Sequence, residues 1–184
     1  MIKSNDRSFY IGASDTSMVV GNWNTKTFDK WYGTKLGIYS QDFTNDAMIT
    51  GTYYEHKILE ALKINGLVMD NQIIIGRLRV NLDGNTDDCI YEVKSHNIDK
   101  DFKVSKAYKN QVMVEMFAFG IKKAYIVSYA LTDDEDKNFY REIDNGRIKY
   151  HEIMYDEDFI NNIYVPRLNV LSDCLDRGVW PYMN

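Results

Sequence analysis

The chain has 184 residues, 45% of them hydrophobic and 27% charged, with a formal net charge of −5. That length suits one domain, 1–184, with enough apolar content for a sizeable core. No stretch approaches the length of a membrane span, and residues 1–7 are too polar for a signal peptide. The two cysteines, Cys89 and Cys174, lie far apart without metal-ligand spacing. They fit a reducing compartment as packing residues or idle thiols, so a cytoplasmic location is expected.

Residues 14–20 read as a short helix opened by Ser14 as N-cap and closed near Gly21. A second helix, 27–36, carries Trp31 and Tyr32. The stretch 45–64 is longer, with Met48, Tyr54, Ile58, Leu59 and Leu62 at helical spacing and Gly66 as a stop. Three strand-like, β-branched segments follow at 67–75, 77–82 and 90–95. A helix over 105–119 ends at Gly120, a strong strand runs over 123–131, and 132–137 reads as a solvated acidic loop. Residues 147–155 alternate as a last strand, and 157–176 form an amphipathic helix interrupted by Pro166. This order predicts an α/β domain with a mixed central β-sheet flanked by helices. Trp23, Trp31 and Trp180 are assigned to the core rather than to base stacking.

Charge is segregated along this order. From Lys94 to Lys123 there are seven lysines against three acids, whereas residues 132–158 carry ten acids against four basic side chains. Lys100, Lys103, Lys106 and Lys109 recur every third residue, which turns the last two toward one helix face. They make either a solvated face or a surface that meets phosphates.

The chemistry concentrates in two short segments. Asp83 closes an alternating run (Leu78, Val80, Leu82), and nine residues later comes Tyr91-Glu92-Val93-Lys94. In a strand, Glu92 and Lys94 point the same way. A hairpin through the polar loop 85–88 would bring Asp83 opposite both. Two carboxylates so close stay ionised only with a cation between them. Hard oxygen donors without a Cys or His pair favour Mg²⁺ or Mn²⁺ over zinc. A lysine beside such a cation can orient a water, or help deprotonate it, for attack on phosphate. The same residues also admit an Asp-Gly turn and a solvated Glu–Lys pair. Glu55, in the long helix before the sheet, is a candidate third acidic ligand, or a surface glutamate. His56 beside it reads as a surface or packing histidine. Gln111 opens the apolar face of the 105–119 helix, where a buried amide needs polar partners.

With these residues in place, the chain resembles the PD-(D/E)XK nuclease superfamily, and within it the phage lambda exonuclease-like branch of viral recombinases and alkaline nucleases. Five motifs carry the resemblance in order: Ile11-Gly12-Ala13-Ser14 with Arg7 seven residues before the serine, Gly51-Thr52-Tyr53-Tyr54-Glu55, Leu82-Asp83-Gly84, Glu92-Val93-Lys94, and Tyr108-Lys109-Asn110-Gln111. The branch has proline before the turn aspartate, where this chain has Leu82. Its larger relatives have more N-terminal sequence with which to grip duplex DNA. The resemblance implies a restriction-endonuclease-like core and a Mg²⁺-dependent DNA exonuclease, with Mn²⁺ able to substitute. It implies Asp83 bridging two ions, Glu92 and the Val93 carbonyl on one and Glu55 near the other. Lys94 would hold the nucleophilic water, with Gln111 in support, and Arg7 and Ser14 would take a terminal 5′ phosphate. It further implies 5′-to-3′ resection of duplex ends in phage-type recombination, a single-strand annealing protein as partner, a toroidal homotrimer, and a phage or prophage origin. On this reading Lys103, Lys106 and Lys109 meet the DNA backbone. A RecB-like single-strand nuclease or endonuclease of the same fold, or a catalytically silent binding module, are the rival readings.

Overall fold

The computed structural model describes residues 8–39, 46–138 and 141–181, without the side chains of 46–52 and 136. Arg7 and the side chain of Thr52 therefore lie outside what is described.

Among the described residues, eight strands form two sheets. In the smaller, β1 (Ile11–Gly12) runs parallel to β4 (Leu78–Asn81), which pairs antiparallel with β3 (Gln72–Ile75). The larger has the order β2 (Val68–Met69), β5 (Gly84–Asn85), β6 (Ile90–Asn97), β7 (Lys123–Leu131), β8 (Ile148–Met154). Within it β6 and β7 are parallel and the other neighbours antiparallel, so the sheet is mixed as expected. The parallel pair is joined by the crossover helix α4 (Lys106–Phe119), capped by the Ser105 side chain and stopped by Gly120 in the left-handed conformation.

Other helices among the described residues surround the sheets. α1 (Thr16–Val20) and α2 (Lys26–Lys35) precede the long α3 (Asp46–Ala61), and α5 (Asp133–Lys137) and α6 (Val165–Asp176) follow β7 and β8. Alternation along β6 and β7 divides the core. Tyr54, Ile58 and Leu59 of α3 pack on Val93, Val127 and Tyr129. On the opposite face Val112 and Met116 of α4 belong to a larger cluster with Ile90, Ile126 and the aromatic residues Trp23, Phe28 and Tyr32. Trp31 and Trp180 pack against that cluster, so the tryptophans are core residues.

Four local expectations are corrected. Ser14 is not an N-cap: a 3₁₀ turn (Ala13–Asp15) precedes α1, and the Gly12 N–H donates to Asp15 Oδ2 at 3.0 Å. The acidic segment 132–137 is not a loop, because Thr132 and Glu135 form a reciprocal capping box that starts a helical turn. The segment 157–176 is helical throughout but widens into a π-turn (Phe159–Tyr164) before Pro166, which has no N–H to give to the preceding turn.

The fourth correction positions the site. The segments 67–75 and 78–85 share one antiparallel register but break at Asp70–Asn71 opposite Leu82–Asp83, where Asp70 takes a φ of 56°. The break sends the two halves of the ladder into different sheets. β4 therefore never pairs with β6; only Gly84–Asn85 does. Gly84 lets α3 approach this junction: a Cβ there would meet Leu59 and Leu67 carbons at 3.1 to 3.3 Å.

Candidate active site

Asp83 sits at the break between the two sheets. Continued by one residue, the Gly84–Tyr91 register sets it opposite Glu92. Asp83 bonds to β6 through its side chain, Oδ2 accepting from the Val93 N–H at 2.7 Å. The predicted proximity of Asp83 to Glu92 and Lys94 thus holds, by a different route from the predicted hairpin.

Glu92 and Lys94 share the α4 face of β6, as alternation requires. Lys94 Nζ donates to Glu92 Oε1 at 2.6 Å and lies 5.1 Å from the Tyr108 ring centroid. Gln111 Nε2 donates to the same Glu92 oxygen at 2.5 Å and to Glu115 Oε1 at 2.9 Å. The other oxygen of Glu92 is buried without a hydrogen-bond partner among the described residues. Glu55 comes from α3 on the opposite face of the sheet, yet lies close enough to Asp83 and Glu92 for their charges to act on its carboxyl. Beside it His56 Nε2 bonds Asp70 at 3.0 Å, and Glu55, His56 and Asp70 offer ligand atoms within 4.8 Å of one another.

Electrostatically the cluster carries too much negative charge. Burial, followed by Glu92 and Glu55, pushes Asp83 well above the usual carboxylate range, with the Val93 N–H and Lys94 acting against the shift. Burial and then Glu92 raise Glu55, partly offset by His56. Burial works against charge on Lys94, but Glu92, by charge and hydrogen bond, and then Asp83 hold it protonated well above its ordinary value. Glu115 is wholly buried; that burial, and then Glu92, raise it strongly. Glu55, Asp83 and Glu92 offer hard oxygens whose mutual repulsion a divalent cation would relieve, and one buried oxygen of Glu92 lacks a partner. Among the described residues, however, only Glu55 with His56 and Asp70 has ligand atoms gathered to within 4.8 Å.

Sequence reading missed Glu115 and Asp70. Glu115 had a signal: an acid four residues after Gln111, on the same helix face, in an otherwise apolar turn. Asp70 had none, since its place depends on the break in the ladder.

A cavity of about 390 Å³ adjoins the cluster through Gln111 and Glu115, and is otherwise lined by residues including Tyr10, Ser14, Lys35 and Arg79. Ser14 is exposed and faces this space. Lys35, whose side chain is 6% exposed, pairs with Asp15 at 3.1 Å and donates to the Tyr10 carbonyl at 2.5 Å. The Arg79 guanidinium lies 5.2 Å from the Tyr10 ring centroid. Lys103, Lys106 and Lys109 are exposed around the N-terminus of α4, the helix that supplies Gln111.

No protein-family model and no curated protein sequence matches the chain. Its fold does have relatives among solved structures. It is similar to an alkaline exonuclease from Laribacter hongkongensis, with a TM-score of 0.70 and 20% identity over 95% of this chain and 93% of that one. A second structure of that exonuclease, in complex with dAMP, gives a TM-score of 0.69. A phage-related exonuclease from Haemophilus somnus gives 0.66 at 13% identity, covering 91% of this chain and 94% of that one. The chain therefore has the fold of these exonucleases over nearly its full length, and the expected nuclease-like α/β core with a mixed sheet flanked by helices is the one it adopts.

Proposed function

We propose that the chain, as one nuclease domain, is a divalent-metal-dependent exonuclease that hydrolyses phosphodiesters of duplex DNA from a phosphorylated 5′ end. One observation carries the reading: Asp83, Glu92 and Lys94 converge with Glu55 and Gln111 at a sheet junction, in a fold shared with two exonucleases.

Glu55, Asp83, Glu92 and the Val93 carbonyl are the groups that would hold Mg²⁺, or Mn²⁺ in its place. When bound, such ions polarise the phosphodiester and make water a better nucleophile at neutral pH. Lys94, kept charged by Glu92, acts as an orienting donor to the incoming water rather than as its base. Gln111 and Lys94 together fix one Glu92 oxygen and leave the other open. The Asp83–Val93 hydrogen bond holds the turn aspartate in place beside Glu92.

Ser14, with the Lys35 and Arg79 cations lining the same cavity, receives the terminal phosphate. Arg7, outside the described residues, is a second phosphate ligand on the sequence resemblance alone. Lys103, Lys106 and Lys109 track the DNA backbone. A nucleoside monophosphate is the released product, in keeping with the dAMP held by the Laribacter protein. We place this activity in cytoplasmic, phage-type recombination: the product strand passes to an annealing protein, and the enzyme works as a homotrimer.

The test is degradation of a linear duplex labelled at either end, with Mg²⁺, Mn²⁺ or EDTA, comparing 5′-phosphate with 5′-hydroxyl ends. Metal-dependent loss from phosphorylated 5′ ends, absent in Lys94→Ala, supports the proposal. Cutting of circular DNA would instead identify an endonuclease on the same fold, and a folded protein inert with every metal would identify a binding module.

A further inference from the structure

We propose that Glu115 is a positioning residue for this hydrolysis, acting through Gln111 to fix the orientation of Glu92. The inference rests on the nuclease reading and adds to it a residue that no motif in the sequence marks.

The argument begins with the Gln111 side chain. Its amide has a nitrogen end with two hydrogens and an oxygen end with none. The nitrogen gives one hydrogen to Glu92 Oε1 at 2.5 Å and the other to Glu115 Oε1 at 2.9 Å. With a carboxyl oxygen on both sides, only the nitrogen end fits between them; the flipped amide would set its oxygen against both. Glu115 thus selects the flip. It does so from one turn further along α4, at the i+4 spacing that stacks two side chains on a single helix face.

The consequence reaches Glu92. Its Oε1 accepts from both Lys94 and Gln111, while Oε2 is buried and unpartnered. Two donors converging on one oxygen fix the carboxylate plane and aim the free oxygen. Without Glu115 the Gln111 amide can rotate, Glu92 keeps one donor in place of two, and the aim of Oε2 is lost. Glu115 is wholly buried, and Gln111 satisfies its Oε1 while its Oε2 is buried with no hydrogen-bond partner among the described residues.

The full chain is compared with Glu115→Leu, Glu115→Gln, Gln111→Ala and the double variant Gln111→Ala/Glu115→Leu, on 5′-phosphorylated linear duplex with Mg²⁺. Glu115→Leu removes the acceptor and should lower kcat by roughly 10- to 100-fold, with KM for duplex ends unchanged. Glu115→Gln keeps an acceptor oxygen of the same reach and should keep most of kcat. The double variant should be no worse than Gln111→Ala alone, because the two residues act in series. Additive losses, an unchanged Glu115→Leu, or a Glu115→Gln as poor as Glu115→Leu would each overturn the proposal. Should Glu115→Leu fail to melt cooperatively, the wild type answers by NMR, its Gln111 amide identified by loss of signal in Gln111→Ala. Both Gln111 amide protons should exchange with water more slowly than those of exposed amides; exchange as fast as theirs overturns the proposal. A wild type that cleaves nothing refutes the nuclease reading instead, and the amide signature still reports on the contact.

Discussion

Replacing Asp83 with asparagine should make the metal-free protein more stable while removing its activity. The direction follows from linkage. Burial, Glu92 and Glu55 raise Asp83 well above the usual carboxylate range in the folded state. The folded protein therefore binds more protons than the unfolded chain once pH exceeds the ordinary carboxylate value, and stability falls as pH climbs from there toward the raised value. Above both values, the folded state carries the full cost of an ionised Asp83 among other acids. Asparagine is neutral at every pH and avoids that cost. Its oxygen can still accept from the Val93 N–H, and its nitrogen can donate to the oxygens that repelled Asp83. A gain of about 1–2 kcal/mol is expected, the usual size for relieving strain stored at a functional site. For a chain of this length that is a rise of roughly 2–8 °C in Tm. Thermal melts of wild type and Asp83→Asn in EDTA at pH 8, repeated at pH 5, are the assay. The advantage of the variant should shrink at the lower pH, where the native Asp83 takes up its proton. A variant less stable than wild type in EDTA at pH 8 would show that Asp83 holds the junction together rather than straining it, and would refute the charge argument.

Other predictions concern the same cluster and a second buried network. Mn²⁺ at about 100 times its Kd should stabilise the wild type by about 2.7 kcal/mol, seen as a higher Tm that EDTA reverses; Asp83→Asn and Glu55→Gln should lose most of that rise. Lys94→Met should reduce kcat by about 100-fold or more without loss of fold, measured by cleavage and circular dichroism. Arg147 makes a two-pronged contact with the buried Glu135, its NH1 to Oε2 at 2.5 Å and its NH2 to Oε1 at 2.7 Å. Arg147→Met should therefore cost about 3–5 kcal/mol in urea unfolding, because it strands a buried charge. Burial opposes charge on Glu135, yet hydrogen bonds from Arg147, the Thr132 N–H and Tyr129 outweigh it and hold the carboxyl at about 2. The stability this pair supplies is full above the ordinary carboxylate range and should fade as pH falls through about 2, a fall that Arg147→Met should not show.

Much of this was legible in the sequence. Strand β7 and helix α4 were foreseen nearly residue for residue, because each is long, strongly patterned and bounded by a clear signal such as Ser105 or Gly120. The placing of Glu92 and Lys94 on one face needed only the period of a strand. Three features were missed. The helical turn at Asp133–Lys137 was hidden by its acidity, although Thr132 and Glu135 stand at capping-box spacing. The break at Asp70 was hidden because a positive φ on a non-glycine residue leaves no mark in composition. Glu115 was missed although it stands four residues after Gln111, because an acid in an apolar helix reads as an exception to the pattern until its hydrogen-bond partner is known.

These blind spots share a cause, and it bears on how the site works. Local pattern records what stabilises a segment, whereas this cluster is held in place against local preference. The ladder keeps its register through Asp70 and Asp83, whose backbones still share a hydrogen bond from the Asp70 N–H to the Asp83 carbonyl at 3.3 Å. The positive φ at Asp70 turns the strand there, and the Asp83 side chain caps β6 at Val93, opposite Glu92. Burying acids from α3, α4, β6 and the junction beside one lysine is unfavourable for the protein alone. The arrangement persists because Tyr54, Ile58 and Leu59 anchor α3 on one face of the sheet while Val112 and Met116 anchor α4 on the other. The hydrophobic faces thus hold together carboxyls that would separate in solution, and the repulsion left over is what a cation would relieve. If that is so, substitutions that loosen the α3 face, Ile58→Ala for example, should weaken Mn²⁺ binding even though Ile58 touches no ligand. Titration of Mn²⁺ binding by calorimetry, at a temperature where the variant stays folded, would measure it; an unchanged affinity would mean that Glu55 is not held in place by the helix that carries it.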